Sequence, residues 1–172
     1  MDLLVEGEDV FIGPTLLDSG VRTYGGQLLA QSLGAAERTV SDDRAVHSTH
    51  SYFVKAADAT QPIRYRVDRL RDGRSFSQRQ VVALQNGAEV FRSLISFHVP
   101  EEGLEWEEPI TIEVAPPTSD QPYTDYDDLM ESILPVDERP WAGRVRPIDV
   151  RCINTMKAPQ GQPVTEPQLM WM

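Results

Sequence analysis

Residues 24–40 read YGGQLLAQSLGAAERTV, and their spacing decides the fold. Leu29, Leu33, Ala36 and Val40 recur at i, i+4, i+7 and i+11, which is one face of a helix. Leu28, Ser32 and Ala35 widen that face with side chains small enough to let strands come close. A helix over Gln27–Val40, entered through Tyr24-Gly25-Gly26, is therefore expected to be buried on most sides. The polar turn Ser41-Asp42-Asp43 stops it.

Downstream of the helix, four stretches have strand character. Val46–Ala57 is rich in aromatic and β-branched residues. Ile63–Leu70 alternates, with Ile63, Tyr65 and Val67 on one side and Arg64, Arg66 and Asp68 on the other. Asp72-Gly73 turns the chain into Phe76–Gln85. Asn86-Gly87 then marks a two-residue hairpin, because both central positions of a type I′ turn need positive φ. Ala88–Val99 places Phe91, Ser93, Ile95, Phe97 and Val99 on one side. Upstream, Val10–Pro14 reads as one short strand closed by Gly13-Pro14. Strand, helix, then four strands joined by tight turns is an α+β plan, a long central helix wrapped by a curled antiparallel sheet. Tyr52, Phe53, Phe91 and Phe97 are expected in its core.

The character changes after Pro100. Residues 101–144 are acidic and broken by Pro109, Pro116, Pro117, Pro122, Pro135 and Pro140, which suits a linker, with a short helix at Tyr126–Leu134. Val145–Asn154 alternates again, and Gln168–Met172 resembles the start of another strand. The expected organisation is thus a domain over 1–100, a linker over 101–144 and the first strands of a second domain over 145–172. Those late strands need a partner, so self-association or pairing with a missing C-terminal half is expected.

Charge follows the same division. Of the net −11, residues 1–99 carry −1 (11 Lys+Arg against 12 Asp+Glu) and residues 100–172 carry −10 (5 against 15). Such an acidic half argues against nucleic acid and anionic membranes as partners. No apolar run reaches the roughly 18 residues of a membrane span. The start, Met1-Asp2-Leu3-Leu4-Val5-Glu6, lacks the form of a signal peptide. With Cys152 alone, no internal disulfide can form. A cytoplasmic protein is expected.

Several stretches together resemble the acyl-CoA thioesterase II family. They are Tyr24-Gly25-Gly26-Gln27, Val46-His47-Ser48-Thr49-His50-Ser51-Tyr52-Phe53, Leu70 through Arg79, Gln85-Asn86-Gly87 and Ser96-Phe97-His98. The resemblance covers nearly all of residues 8–100 and touches 145–172. It implies the hot-dog fold, in a double hot-dog truncated here after the first strands of the second repeat. It also implies hydrolysis of fatty acyl-CoA to free acid and CoA. The Asp, Thr or Ser, and Gln that hold the attacking water in that family would lie after residue 172, so no catalytic residue is assigned within this chain. No metal or cofactor is expected.

The substrate-binding candidates are Gly25, Gly26, Gln27, His47, Arg74, Ser75 and Phe76. Free N–H groups at the helix start suit a thioester carbonyl that becomes an oxyanion; alternatively, the glycines only make a tight opening turn. His47 could contact substrate or act as a base, or it could be a buried, hydrogen-bonded histidine between sheet and helix. His47 and His50, three apart on a strand, are expected on opposite sides. Arg64, Arg66, Arg69, Arg71, Arg74 and Arg79 could meet CoA phosphates, since a guanidinium matches phosphate geometry, or they could form a solvated face paired with the acidic linker. Asp125, Asp127 and Asp128 read as solvated. Besides the thioesterase stand a non-catalytic module that binds acyl-CoA or dimerises and, ranked last, another hot-dog enzyme such as an enoyl-CoA hydratase, whose Asp/His pair is not found.

Overall fold

A computed structural model describes residues 3–15, 22–109, 123–135, 137, 148–153 and 169–172. The chain divides into two units, Met1–Leu104 and Glu105–Met172. The first holds β1 (Leu4–Gly7), β2 (Val10–Gly13), α1 (Gly25–Glu37), β3 (Ala45–Phe53), β4 (Ile63–Asp72), β5 (Phe76–Gln85) and β6 (Ala88–His98). Its strands form one antiparallel sheet in the order β1-β2-β4-β5-β6-β3, with α1 packed over β4, β5 and β6. Asn86 and Gly87 have φ of 52° and 77°, as the β5–β6 hairpin requires.

Alternation works as the sequence implies in the central strands. Ile63, Tyr65, Val67, Val81, Ala83, Phe91, Ile95 and Phe97 are buried in one core against Leu28, Ala35 and Ala36. Burying a large apolar side chain of this kind contributes about 1.5–3 kcal/mol. Tyr65 and Ser93 carry the polar atoms of this layer, and both are matched. The Tyr65 hydroxyl donates to Gln31 Oε1 at 2.8 Å, and Ser32 Oγ meets Ser93 Oγ at 2.6 Å. Burial pushes the Tyr65 hydroxyl far above its ordinary pKa, so it stays a donor.

The structure corrects four readings. The fully buried stripe of α1 is Gln27, Leu28, Gln31, Ser32, Ala35 and Ala36, while Leu29, Leu33 and Val40 are only partly buried. The helix also stops early, at Arg38, and the Thr39 hydroxyl donates to Ala36 O at 2.8 Å. Tyr52 and Phe53 are 64% and 63% exposed: Tyr52, opposite Arg92, points away from α1, and Phe53, opposite Phe91, ends an edge strand whose one strand neighbour among the described residues is β6. The third correction concerns β1, which the sequence did not announce. It pairs with β2 through a turn in which Asp9 takes a φ of 55°.

The fourth is a matter of parity. The β3–β6 register slips between Val46, opposite Phe97, and Ser48, opposite Ser96, leaving His47 as the extra residue of a bulge. His47 therefore reaches the face away from α1, where its ring lies 5.6 Å from Phe76 and 5.9 Å from His98. His50, opposite Leu94, points to that same outer face. The two histidines share a side, and His47 is exposed rather than buried against the helix.

The second unit holds β7 (Thr124–Asp125), α2 (Tyr126–Ile133), β8 (Arg151–Cys152) and β9 (Met170–Trp171), with the strands ordered β7-β8-β9. Asp125, read as solvated, instead caps α2 by accepting the Asp127 N–H at 2.8 Å. Leu129 and Cys152 are its buried side chains among the described residues. The strands expected at Val145–Asn154 and Gln168–Met172 are seen as β8 and β9. Residues 145–147, 154 and 168, and the prolines at 116, 117, 122, 140, 163 and 167, lie outside the described residues.

Candidate functional site

The candidate residues separate into two groups. The first stands at the mouth of α1. Tyr24 is its N-cap and supplies no side-chain bond, and the Gly25 and Gly26 N–H groups have no partner among the described residues. Both glycines admit aromatic rings at close range. A Cβ on Gly25 would stand 2.9 Å from Phe53 Cε1, and one on Gly26 would stand 2.4 Å from Tyr24 Cε1. Phe53 in turn meets Phe91 edge-on at 5.1 Å. The mouth is thus a pair of helix N–H groups walled by aromatic carbon.

Gln27 adds a polar oxygen. Its Nε2 donates to Pro14 O at 2.9 Å, and Gln31 Nε2 donates to the same carbonyl at 2.9 Å. A carbonyl can only accept, so the amide orientation of Gln27 is fixed and Oε1 faces the other way. That Oε1 and the Thr23 hydroxyl are buried with no hydrogen-bond partner among the described residues.

The second group sits at the far end of β3. His47 and Phe53 are six residues apart on that strand, about 20 Å at roughly 3.3 Å per residue. Here the structure brings His47 and Phe76 together and adds His98, whose ring is 4.2 Å from that of Phe76. Arg74 and Ser75 form the turn beside them. Gly25, Gly26 and Gln27 lie across the sheet from His47 and Phe76 and do not join them.

The arginine stretch divides as well, and its ion pairs lie inside the first unit. Arg64 pairs with Glu6, Arg66 with Asp68 at 3.5 Å, and Arg69 with Asp9 in a two-point bond at 2.7 and 2.8 Å. The Arg69 hydrogen bond holds the Asp9 carboxyl below its usual range. Arg79 points into the core and is 1% exposed. Its Nε donates to Thr39 Oγ1, Nη1 to the Arg71 and Gln78 carbonyls, and Nη2 to Thr39 O and Asp72 Oδ1, at 2.7–3.1 Å. Arg71 and Arg74 have no carboxylate partner among the described residues.

Beneath Arg74, Asp72 Oδ1 also accepts from Ser77 Oγ at 2.6 Å. Arg44 donates to Ser77 Oγ at 2.9 Å and to the Gly73 carbonyl at 2.8 Å. Arg44 went unnoticed in the sequence, Asp72 was read only as part of a turn, and Arg79, grouped with arginines expected to meet phosphates or solvent, is instead buried. For Arg79 a signal was available, since it shares inward parity with Val81 and Ala83. For Arg44, in the helix–strand connection, none was. No cluster of three or more His, Cys, Asp or Glu side chains able to hold a metal occurs among the described residues. No helix among them is long and apolar enough to cross a membrane.

A helix laid across a curled antiparallel sheet in this strand order is the hot-dog arrangement. It is shared with a hot-dog protein of unknown function from Alicyclobacillus acidocaldarius, at a TM-score of 0.62 and 20% identity over 89% of this chain and 53% of that one. Residues 14–98 match the model of the acyl-CoA thioesterase N-terminal domain. Human acyl-coenzyme A thioesterase 8 is 32% identical across 96% of this chain and 54% of its own length. The structure of an acyl-CoA thioesterase II from Mycobacterium marinum is 31% identical with a TM-score of 0.63, over 94% of this chain and 54% of that one. The chain belongs to the acyl-CoA thioesterase II family through this N-terminal domain. It spans about half the length of the curated relatives it matches.

Proposed function

We propose that this chain supplies the N-terminal half of an acyl-CoA thioesterase, an enzyme of lipid metabolism that hydrolyses fatty acyl-CoA to free fatty acid and CoA. The observation that carries the reading is the family match over residues 14–98, which takes in the helix mouth and the Gly73–Phe76 turn together. In this reading the Gly25 and Gly26 N–H groups and Gln27 face the acyl end of the substrate. His47, Arg74, Ser75 and Phe76 face its CoA end. Residues 101–144 are a linker, and residues 145–172 are the first strands of a second hot-dog repeat. The exposed edge of β3 suits pairing with a second copy of the chain or with a missing C-terminal half. A cytoplasmic setting suits the lone cysteine.

Hydrolysis needs a water directed at the thioester carbonyl, and the residues that the family uses for this belong to its second repeat. The test uses a non-hydrolysable thioether analogue of octanoyl-CoA, titrated into the 172-residue chain and into that chain joined to the second half of the Mycobacterium marinum thioesterase. A thiol reagent then follows CoA release from octanoyl- and palmitoyl-CoA. Binding by both forms is expected, with release at least about tenfold faster from the joined form. Absence of binding by both would overturn the reading.

A further inference from the structure

On the face of the sheet away from α1, Phe76 stands opposite His98 and Arg71 stands opposite Gln78. The bulge in β3 brings His47 to the same place. The Phe76 and His98 rings are 4.2 Å apart with their planes tilted by 39°, and His47 meets Phe76 edge-on. Phe76 nevertheless keeps 39% of its surface in solvent, so part of an aromatic face remains uncovered.

Beside it, the Arg71 guanidinium lies over Gly73, with Nε 3.4 Å from where a Cβ would stand. Arg71 and Arg74 lack a carboxylate among the described residues, although Arg64, Arg66, Arg69, Arg79 and Arg92 each have one. The turn that carries them is held from within by Arg44 and Arg79. The opposing charges nearby are Asp72, whose Oδ1 is already held by Ser77 and Arg79, and Glu101, 3.6 Å from His98 Nε2. An open aromatic face near the Arg71 guanidinium, with Arg74 on the same braced turn and neither paired to a carboxylate among the described residues, matches a nucleotide: the base stacks and the phosphates accept the forks.

We propose that this shelf is a nucleotide subsite, taking a purine nucleotide with phosphates at two positions, its base on Phe76 and its phosphates on Arg71 and Arg74. This rests on the acyl-CoA reading and assigns the adenosine end of the substrate to the outer face, with His98 backing the Phe76 ring. The acyl end at the helix mouth is a separate matter.

Adenosine 3′,5′-bisphosphate, pantetheine and CoA are each titrated calorimetrically into the 172-residue chain. The bisphosphate is expected to bind nearly as well as CoA, and pantetheine far more weakly. Phe76→Leu should weaken bisphosphate binding about fivefold or more, whereas Phe76→Trp retains it. Arg71→Gln and Arg74→Gln should each weaken it about tenfold and flatten its salt dependence. Glu101→Gln should tighten it. If CoA binds but the bisphosphate does not, or if Phe76→Leu binds both unchanged while still folding, the subsite is overturned and the acyl-CoA reading survives. If neither CoA nor the thioether analogue binds, both fall.

Discussion

At the Gly73 end of the first unit, Arg79 directs all five guanidinium N–H groups onto acceptors inside the fold, whereas at the mouth of α1 Gln27 Oε1 and Thr23 Oγ1 are buried with no hydrogen-bond partner among the described residues. Each end joins α1 to the rest of its unit. At the Gly73 end the contact is a clamp, because Thr39, Arg71 and Asp72 are all bonded to one cation. At the mouth the contact is shared unevenly. Pro14 offers only a carbonyl, two glutamine amides donate to it, and one of those glutamines is left with an idle oxygen. An unmatched buried polar atom costs about 1–3 kcal/mol. The fold thus concentrates its satisfied polar groups under the turn and its unsatisfied ones beside the helix N–H groups. The two ends therefore leave polar groups unmatched in different places among the described residues: at the mouth inside the fold, in Gln27 and Thr23, and at the turn on exposed side chains, in Arg71 and Arg74.

The strongest way to break this contrast is Arg79→Met. It leaves the Asp72 carboxylate, the Thr39 and Arg71 carbonyls and the Thr39 hydroxyl short of a donor, and should cost about 3 kcal/mol in urea unfolding. A cost within about 0.5 kcal/mol would mean that the clamp adds nothing beyond an apolar side chain of similar size. Next in size is a paired test on the glutamines. Gln31→Leu strands the Tyr65 hydroxyl, which is fully buried, and should cost about 2 kcal/mol. Gln27→Leu loses one bond to Pro14 but also removes the idle oxygen, so its stability should stay within about 1 kcal/mol of the parent. Equal losses from the two would show that Gln27 Oε1 is matched after all.

The smallest effect concerns pH. The Ser77 hydroxyl, and after it Arg79, holds the Asp72 carboxyl below the usual carboxylate range. Its stabilisation is complete above the unfolded value of about 3.9 and is lost as pH falls through the lower folded value. Asp72→Asn should therefore be less stable than the parent at pH 7, with the gap closing below about pH 4. The side chain is half exposed, so the gap is modest. A gap of constant size from pH 7 to 3, in chemical unfolding at each pH, would remove the carboxylate's charge from the account.

Much of the first unit was legible along the chain. Ile63, Tyr65 and Val67 alternate with arginines, Phe76–Gln85 runs to the Asn86-Gly87 turn, and Phe91 to Phe97 line one face. Strand period and turn chemistry are short-range properties, carried by neighbours a few residues apart. The helix was legible for the same reason, though its buried stripe was not. Gln27 and Gln31 became core residues only because Pro14 and Tyr65 meet them there. The family resemblance was likewise readable from ordered short motifs.

The remaining features depend on register and on distant partners. One extra residue in β3 moved His47 to the outer face beside Phe76 and His98, and local periodicity carries no mark of a bulge set by the neighbouring strand. Tyr52 and Phe53 have the composition of core residues but are exposed, Tyr52 because register turns it to the outer face and Phe53 because sheet order puts β3 at the edge. Arg79 is a buried cation made tolerable by acceptors at positions 39, 71, 72 and 78 together. The helix, the meander and the family resemblance follow from neighbours along the chain. Tertiary structure alone divided the candidate residues between two ends of the sheet, because their separation is fixed by strand register and by which face each side chain leaves.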